Sequence, residues 1–266
     1  MRPVRDDEGV ELERLAVAAD FNLAAAWTAL GRHAGFAVSQ NGPVTMAASG
    51  LPVAFFNSAF VASATTDPAQ TISDVQAFFG PRGVPFLLWV RSGLDDALLA
   101  AGRDAGLVDA GGPPLMIMST ITDSPPPPAG MEITLARDDG DLSDHRALLS
   151  AGFSMPLEVA HTLIGSTCVD DPNLAVAVGR VDGVPVATAL LARSGETAGV
   201  YNVATAPEHQ RKGYGAAVTW AAVAEGARRG CTHSVLQASE AGYPVYRRMG
   251  FAEGGRYVQL MGPPAS

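Results

Sequence analysis

The residues best placed to do chemistry are Gln210-Arg211-Lys212-Gly213-Tyr214-Gly215-Ala216, two glycines one residue apart with two cations just before them. Glycine lets backbone N–H groups come close to a ligand, and a helix start adds unpaired donors and positive potential. Arg211 and Lys212 add full charges, so the ligand should carry phosphate. Such a loop needs a strand before it and a helix after it. The apolar run from Ala198 to Thr205, closed by the turn signal Ala206-Pro207, predicts the strand. The stretch from Ala216 to Arg229, built mostly of Ala, Val, Trp and Glu, predicts the helix.

Two common phosphate loops do not fit. A Walker A loop needs Lys directly after its second glycine, then Ser or Thr, and Ala216 and Ala217 stand there. The dinucleotide fingerprint needs Gly or Ala three residues after the second glycine, where Val218 stands, and an acidic residue further on that is missing. The loop instead resembles the (Arg/Gln)-x-x-Gly-x-(Gly/Ala) pyrophosphate loop of the GNAT N-acetyltransferase superfamily, with Gln210, Gly213 and Gly215 at the motif positions. Downstream, Pro244 to Phe251 resembles that family's second signature, a helix carrying Tyr246 and ending in Gly250-Phe251. The order of loop, helix, strand (Ser234 to Ala238), Tyr helix and Gly-Phe carries the resemblance, which spans residues 131–262.

The resemblance implies an α/β fold with a mixed, mostly antiparallel sheet flanked by helices. It also implies direct transfer of acetyl from acetyl-CoA, as cosubstrate, to a primary amine. Main-chain groups of Val203, Ala204 and Thr205 would face the pantetheine and thioester, and a backbone N–H there would steady oxyanion charge. Gln210 to Ala216 would hold the pyrophosphate, and Tyr246 would protonate the departing thiolate. Ser239 stands where relatives carry a cofactor-contacting Asn. No Asp or Glu lies within Tyr201–Val203, where a base is often found; Glu196, Glu158, His161 and Glu240 are candidates acting through water, and His209 is expected to help the turn. Phe153 and Met155, in the segment Ala151 to Pro156, suggest an apolar acceptor wall, to which the chain end after Phe251 would add.

Four prolines in the run Asp123 to Gly130 mark the clearest boundary, because they favour an extended spacer. The expected division is 1–123, a linker 124–130, and a catalytic domain 131–266. The halves also look alike. Arg103 to Gly112 matches Arg247 to Gly255 in order of residue type, their first residues 144 apart, and Phe56-Asn57 matches Tyr201-Asn202 at 145. The N-terminal equivalent of the glycine loop, Thr65 to Thr71, has no glycine and no basic residue, and Gly102 stands in place of Tyr246. The first half therefore reads as a degenerate GNAT-like domain that covers the cleft, shapes the pocket or supports assembly.

With 47% hydrophobic and 17% charged residues, the 266-residue chain can bury sizeable cores. Its net charge of −9 and lack of a basic stripe argue against nucleic acid as a partner. Cys168 and Cys231 form no metal pattern, so no metal is expected. Met1 to Glu8 lacks an apolar leader, and no apolar run reaches membrane-spanning length, which makes a cytoplasmic protein with a small-molecule amine partner the expectation. The homodimer question stays open. Two other classes also stay open: a non-catalytic acyl-CoA sensor and a purely structural protein.

Overall fold

The computed structural model describes residues 6–263; Met1 to Arg5, the start of the stretch read for a leader, lie outside the described residues. The chain forms two compact units, one of residues up to Leu115 together with those from Glu253 on, the other of Met116–Ala252. Each is a mixed sheet flanked by helices. No helix among the described residues is long and apolar enough to cross a membrane.

The elements of the first half are α1 (Asp6–Ala34), β1 (Ala37–Asn41), β2 (Val44–Ala48), β3 (Asn57–Val61), α2 (Pro68–Phe79), β4 (Phe86–Arg91), α3 (Asp96–Asp104), β5 (Val108–Asp109) and β6 (Pro114–Met118). Those of the second half are β7 (Met131–Leu135), α4 (Asp139–Phe153), α5 (Leu157–Leu163), β8 (Leu174–Val181), β9 (Val184–Ser194), β10 (Thr197–Thr205), α6 (Tyr214–Arg228), β11 (His233–Gln237), α7 (Tyr243–Arg248) and β12 (Ala252–Gly262).

The two halves repeat one plan. β3 runs parallel to β4 with α2 between them, as β10 runs parallel to β11 with α6 between them. The short helices then end alike. Leu107 N–H donates to the Gly102 carbonyl as Phe251 N–H does to Tyr246, and Gly106 to Arg103 as Gly250 to Arg247, each pair 144 residues apart. The match of Asn57 with Asn202 does not survive. Asn57 comes just before the residues Ser58 to Phe60 of β3 that pair with β4, whereas Asn202 comes after the residues Thr197 to Gly199 of β10 that pair with β11. Asn57 instead holds the loop before β3, its amide donating to the Leu51, Val53 and Pro85 carbonyls.

The proline run is not where the units part. Ser124 Oγ donates to the Trp220 carbonyl on α6 at 3.4 Å, and a Cβ built on Gly213 would lie 3.5 Å from Pro128 Cγ, so the run lies against the second unit. The last strand is also placed otherwise than its position suggests. β12 pairs antiparallel with β4 from Tyr257/Arg91 to Gly262/Phe86, closing the first unit's sheet in the order β1-β2-β3-β4-β12. In the second unit β6 neighbours β11 in the order β6-β11-β10-β9-β8-β7, and Met116 and Met118 join its core.

Below the first unit's sheet, Arg91 donates from Nε to Asp20 at 2.8 Å and from both terminal nitrogens to Glu13 of α1, while Tyr257 of β12 donates its hydroxyl to Asp20 at 2.8 Å. Burial pushes the Asp20 carboxyl up to about 6, against the pull of Arg91 and Tyr257.

In the second unit α6 packs tightly on β10. A Cβ on Gly226 would lie 2.6 Å from Ala198 Cβ and 3.4 Å from Leu191 Cδ1. Gly226→Val should therefore destabilise the unit by about 1–3 kcal/mol through overpacking, read as a lower urea midpoint. An unchanged midpoint would show that the helix can lift off its strand without penalty.

Candidate functional site

Two departures from regular sheet make the site. β9 and β10 pair regularly until Tyr201, where a bulge intervenes before pairing resumes at Ala204/Thr188, and Asn202 takes a left-handed φ of 52°. On its other side β10 pairs with β11 at Thr197, Ala198 and Gly199, and both strands then run on without further register. Parallel strands that part at their carboxyl ends leave a slot, and ligands of open α/β sheets bind at such places. Beyond the last pair, Gly199/Val235, β10 continues through Val203, Ala204 and Thr205, and β11 ends at Gln237.

The chain leaves Thr205 through a short turn at Pro207–His209 and enters α6 at Gly213. Arg211 at φ 60° and Gly213 at φ 85° are both left-handed, an arrangement that turns successive amides inward as an anion-binding nest. Gly213, the N-cap, has no side chain to satisfy the first turn, and the first helical bond runs from Ala217 N–H to the Gly213 carbonyl. The amides of Tyr214, Gly215 and Ala216 therefore face outward as donors. A Cβ on Gly215 would sit 3.0 Å from Thr205 Oγ1, so strand end and helix start already touch. Gln210, Arg211 and Lys212 are exposed, Lys212 Nζ donating to the Glu208 carbonyl at 3.4 Å, and His209 packs against the Tyr214 ring.

The first unit shows the contrast. Its α2 is capped by Asp67, whose carboxylate accepts from Gln70 N–H at 3.0 Å, so an anion already occupies the place a phosphate would take.

Tyr246 is buried in the core between α7 and α6, its hydroxyl bonded to Thr219, which itself donates to the Gly215 carbonyl at 2.8 Å. Burial pushes the Tyr246 pKa up to about 12, with Thr219 pulling the other way, so Tyr246 stays protonated at neutral pH. Ser239 Oγ accepts from Gly242 N–H at 3.1 Å, which makes it a brace for the turn into α7. Of the base candidates, Glu196 lies at the start of β10, seven residues from Val203 and about 23 Å away along an extended strand. Glu158 and His161 are exposed on α5, and Glu240 is exposed before α7.

The two faces of the sheet differ. Leu191, Ala198, Val200, Leu236 and Ala238 pack in the core with α6. Alternation puts Thr188, Tyr201, Ala204 and Gln237 on the opposite face, where α4 lies: a Cβ on Gly152 would be 2.9 Å from Ala204 Cβ. There His145 Nδ1 is 2.7 Å from Thr188 Oγ1, whose proton goes to the Ala177 carbonyl, so Nδ1 carries the hydrogen and Nε2 is a bare acceptor. Burial, with Arg146 adding to it, lowers the His145 pKa to about 3, so this imidazole is neutral. Phe153 is 51% exposed at the end of α4, Met155 is half-buried after it, and Leu157 is 43% exposed on α5, so apolar surface stands at this turn. The chain end from Glu253 belongs to the first unit. Gln237 and His145 escaped the sequence reading, because a lone polar residue in a strand or helix carries no motif.

A bulged strand, parallel strands that stop pairing at their carboxyl ends and a glycine-capped helix together make an anion cradle. Residues 146–251 match the model of the acetyltransferase (GNAT) family. Among solved structures the whole chain is similar to a GCN5-related N-acetyltransferase from Kribbella flavida, at 21% identity over 91% of this chain and 94% of that one, with a TM-score of 0.68. A GCN5-related N-acetyltransferase from Sphaerobacter thermophilus follows at 17% identity, covering 84% and 78%, with a TM-score of 0.57. A tandem GNAT protein from the clavulanic acid biosynthesis pathway has 12% identity, 84% and 79% coverage and a TM-score of 0.57. At these identities the likeness is one of fold, and it extends over both halves. No curated protein sequence matches the chain.

Proposed function

We propose that the second unit transfers acetyl from acetyl-CoA to a primary amine by direct attack, and that the first unit has lost its cofactor site and supports the second. The carrying observation is the uncapped, glycine-lined start of α6 beside the slot at the end of β10. The residues fit the ligand: a side chain at Gly215 would fill the cradle, and none is present. Acetyl-CoA, when bound, supplies an activated thioester.

In this reading the amides of Tyr214, Gly215 and Ala216 hold the diphosphate, with Arg211 and Lys212 as outer charges. Main-chain groups of Val203 to Thr205 align the pantetheine, and an amide there takes up charge on the carbonyl oxygen as the amine nitrogen bonds to carbon. The carbon–sulfur bond then breaks, and Tyr246 gives its proton to the thiolate. The attacking nitrogen loses its proton to water. Tyr246→Phe should lower kcat by about a hundredfold or more with the acetyl-CoA affinity kept, measured by thiol release and calorimetry. Equal loss of both would make Tyr246 a packing residue.

The absence of any carboxylate within Tyr201–Val203 favours a second reading, a non-catalytic acyl-CoA sensor. Thiol release over an amine panel decides between them. Calorimetry with acetyl-CoA tests both at once, since no heat of binding would remove each.

A further inference from the structure

Two enclosed side-chain nitrogens of the second unit, His145 Nε2 and Gln237 Nε2, have no hydrogen-bond partner among the described residues, and that of Gln237 is a donor. An enclosed amide donor without a partner is disfavoured by about 1–3 kcal/mol, so folded proteins keep few of them without a use. Gln237 is the last residue of β11, at the carboxyl end of the parallel pair, one step past the point where β10 and β11 part. Thr197 Oγ1 and His233 Nε2 meet at 2.8 Å on one face, and alternation carries that face through Gly199 and Val235 to Tyr201 and Gln237. This is the α4 face, away from the α6 amides that would hold a diphosphate. The carboxamide therefore stands on the acceptor side of the slot.

Building on the acetyl-transfer reading, we propose that Gln237 is a specificity-determining residue that donates a hydrogen bond to a carbonyl or carboxylate oxygen on the carbon bearing the acceptor amine. The acceptor class is then an α-amino acid derivative or an amino-terminal residue, in preference to a plain alkylamine. The exposed rings and chains of Phe153 and Leu157 at the α4–α5 turn suit an apolar side chain on that residue. A donor unpaired in the free protein gains most from a carbonyl that reaches it on binding, because its hydrogen bond is otherwise unmade.

The probes are phenylalaninamide and phenethylamine, which differ only by the carboxamide on the amine-bearing carbon. Wild-type protein should prefer phenylalaninamide in kcat/KM, and Gln237→Leu should lower that preference by about ten- to a hundredfold. Gln237→Glu, which places negative charge against the carbonyl, should lower it at least as far. Removing an unpaired donor should leave the Gln237→Leu melting temperature equal or higher, whereas a purely structural glutamine would lower it and slow both probes alike. An unchanged preference in both variants, no preference in the wild type, or no turnover of either probe overturns the assignment. Calorimetry separates the two levels: wild type that binds acetyl-CoA but fails these tests loses only the role of Gln237, and wild type that does not bind it loses the acetyl-transfer reading as well.

Discussion

Gly215→Glu is expected to weaken acetyl-CoA binding by about a thousandfold while leaving the protein folded. The position has no room to spare on the strand side, with Thr205 Oγ1 3.0 Å from where a Cβ would stand. The new side chain must therefore occupy the same first turn whose amides make the cradle. A carboxylate in the first turn of a helix is favourable to the helix, so stability should hold or rise slightly. Against a diphosphate at about 4 Å, the same charge opposes binding by about 4 kcal/mol at a surface-like effective dielectric. Calorimetry reads the affinity and far-ultraviolet circular dichroism the fold. Binding at wild-type strength would place the diphosphate elsewhere and dissolve the cofactor assignment. Gly215→Ala, which adds a methyl but no charge, should lie between the two.

Arg91→Met should destabilise the first unit by about 3–5 kcal/mol, the range for removing one partner of a buried ion pair. Asp20 is enclosed, and without Arg91 its carboxylate keeps only the Tyr257 hydroxyl. The effect should depend on pH with a defined sign. Asp20 sits at about 6 in the folded chain, above its ordinary 3.8, so its proton is held more tightly folded than unfolded. Its contribution to stability is complete below about 3.8 and is lost as the pH rises through 6. Losing Arg91 removes the cation that favours the charged form and moves Asp20 further up, which widens that window. The deficit of Arg91→Met relative to wild type should therefore shrink between pH 7.5 and pH 5, measured as urea midpoints at each. A deficit independent of pH would mean that Asp20 does not titrate there.

What could be read from the sequence was local. Asp182-Gly183 announces a two-residue turn, and both residues have positive φ, at 50° and 78°, between β8 and β9. Gly213 and Gly215 marked the loop because no other residue allows a backbone cradle of that kind. The Gly-Phe ends of the repeated helices were legible through the residues that close them. Three things were not. Which strand β12 pairs with is settled by partners more than a hundred residues away, and nothing in its own composition names them. Four prolines specify an extended backbone but not the surface it lies on. A buried carboxamide at Gln237 looks, as a letter in a strand, like any polar residue facing solvent. The equivalence of Asn57 with Asn202 failed for a related reason: identity of two letters says nothing about register.

Because β12, written last, completes the sheet that begins the chain, and Met116 to Met118, written in the first half, complete the second core, neither half is a self-sufficient cassette. Ribosomal synthesis must pass β12 before the amino-terminal sheet gains that strand. Recombination that shuffles one half onto another scaffold, or a nonsense mutation near the prolines, would leave an open β4 edge, which suits aggregation.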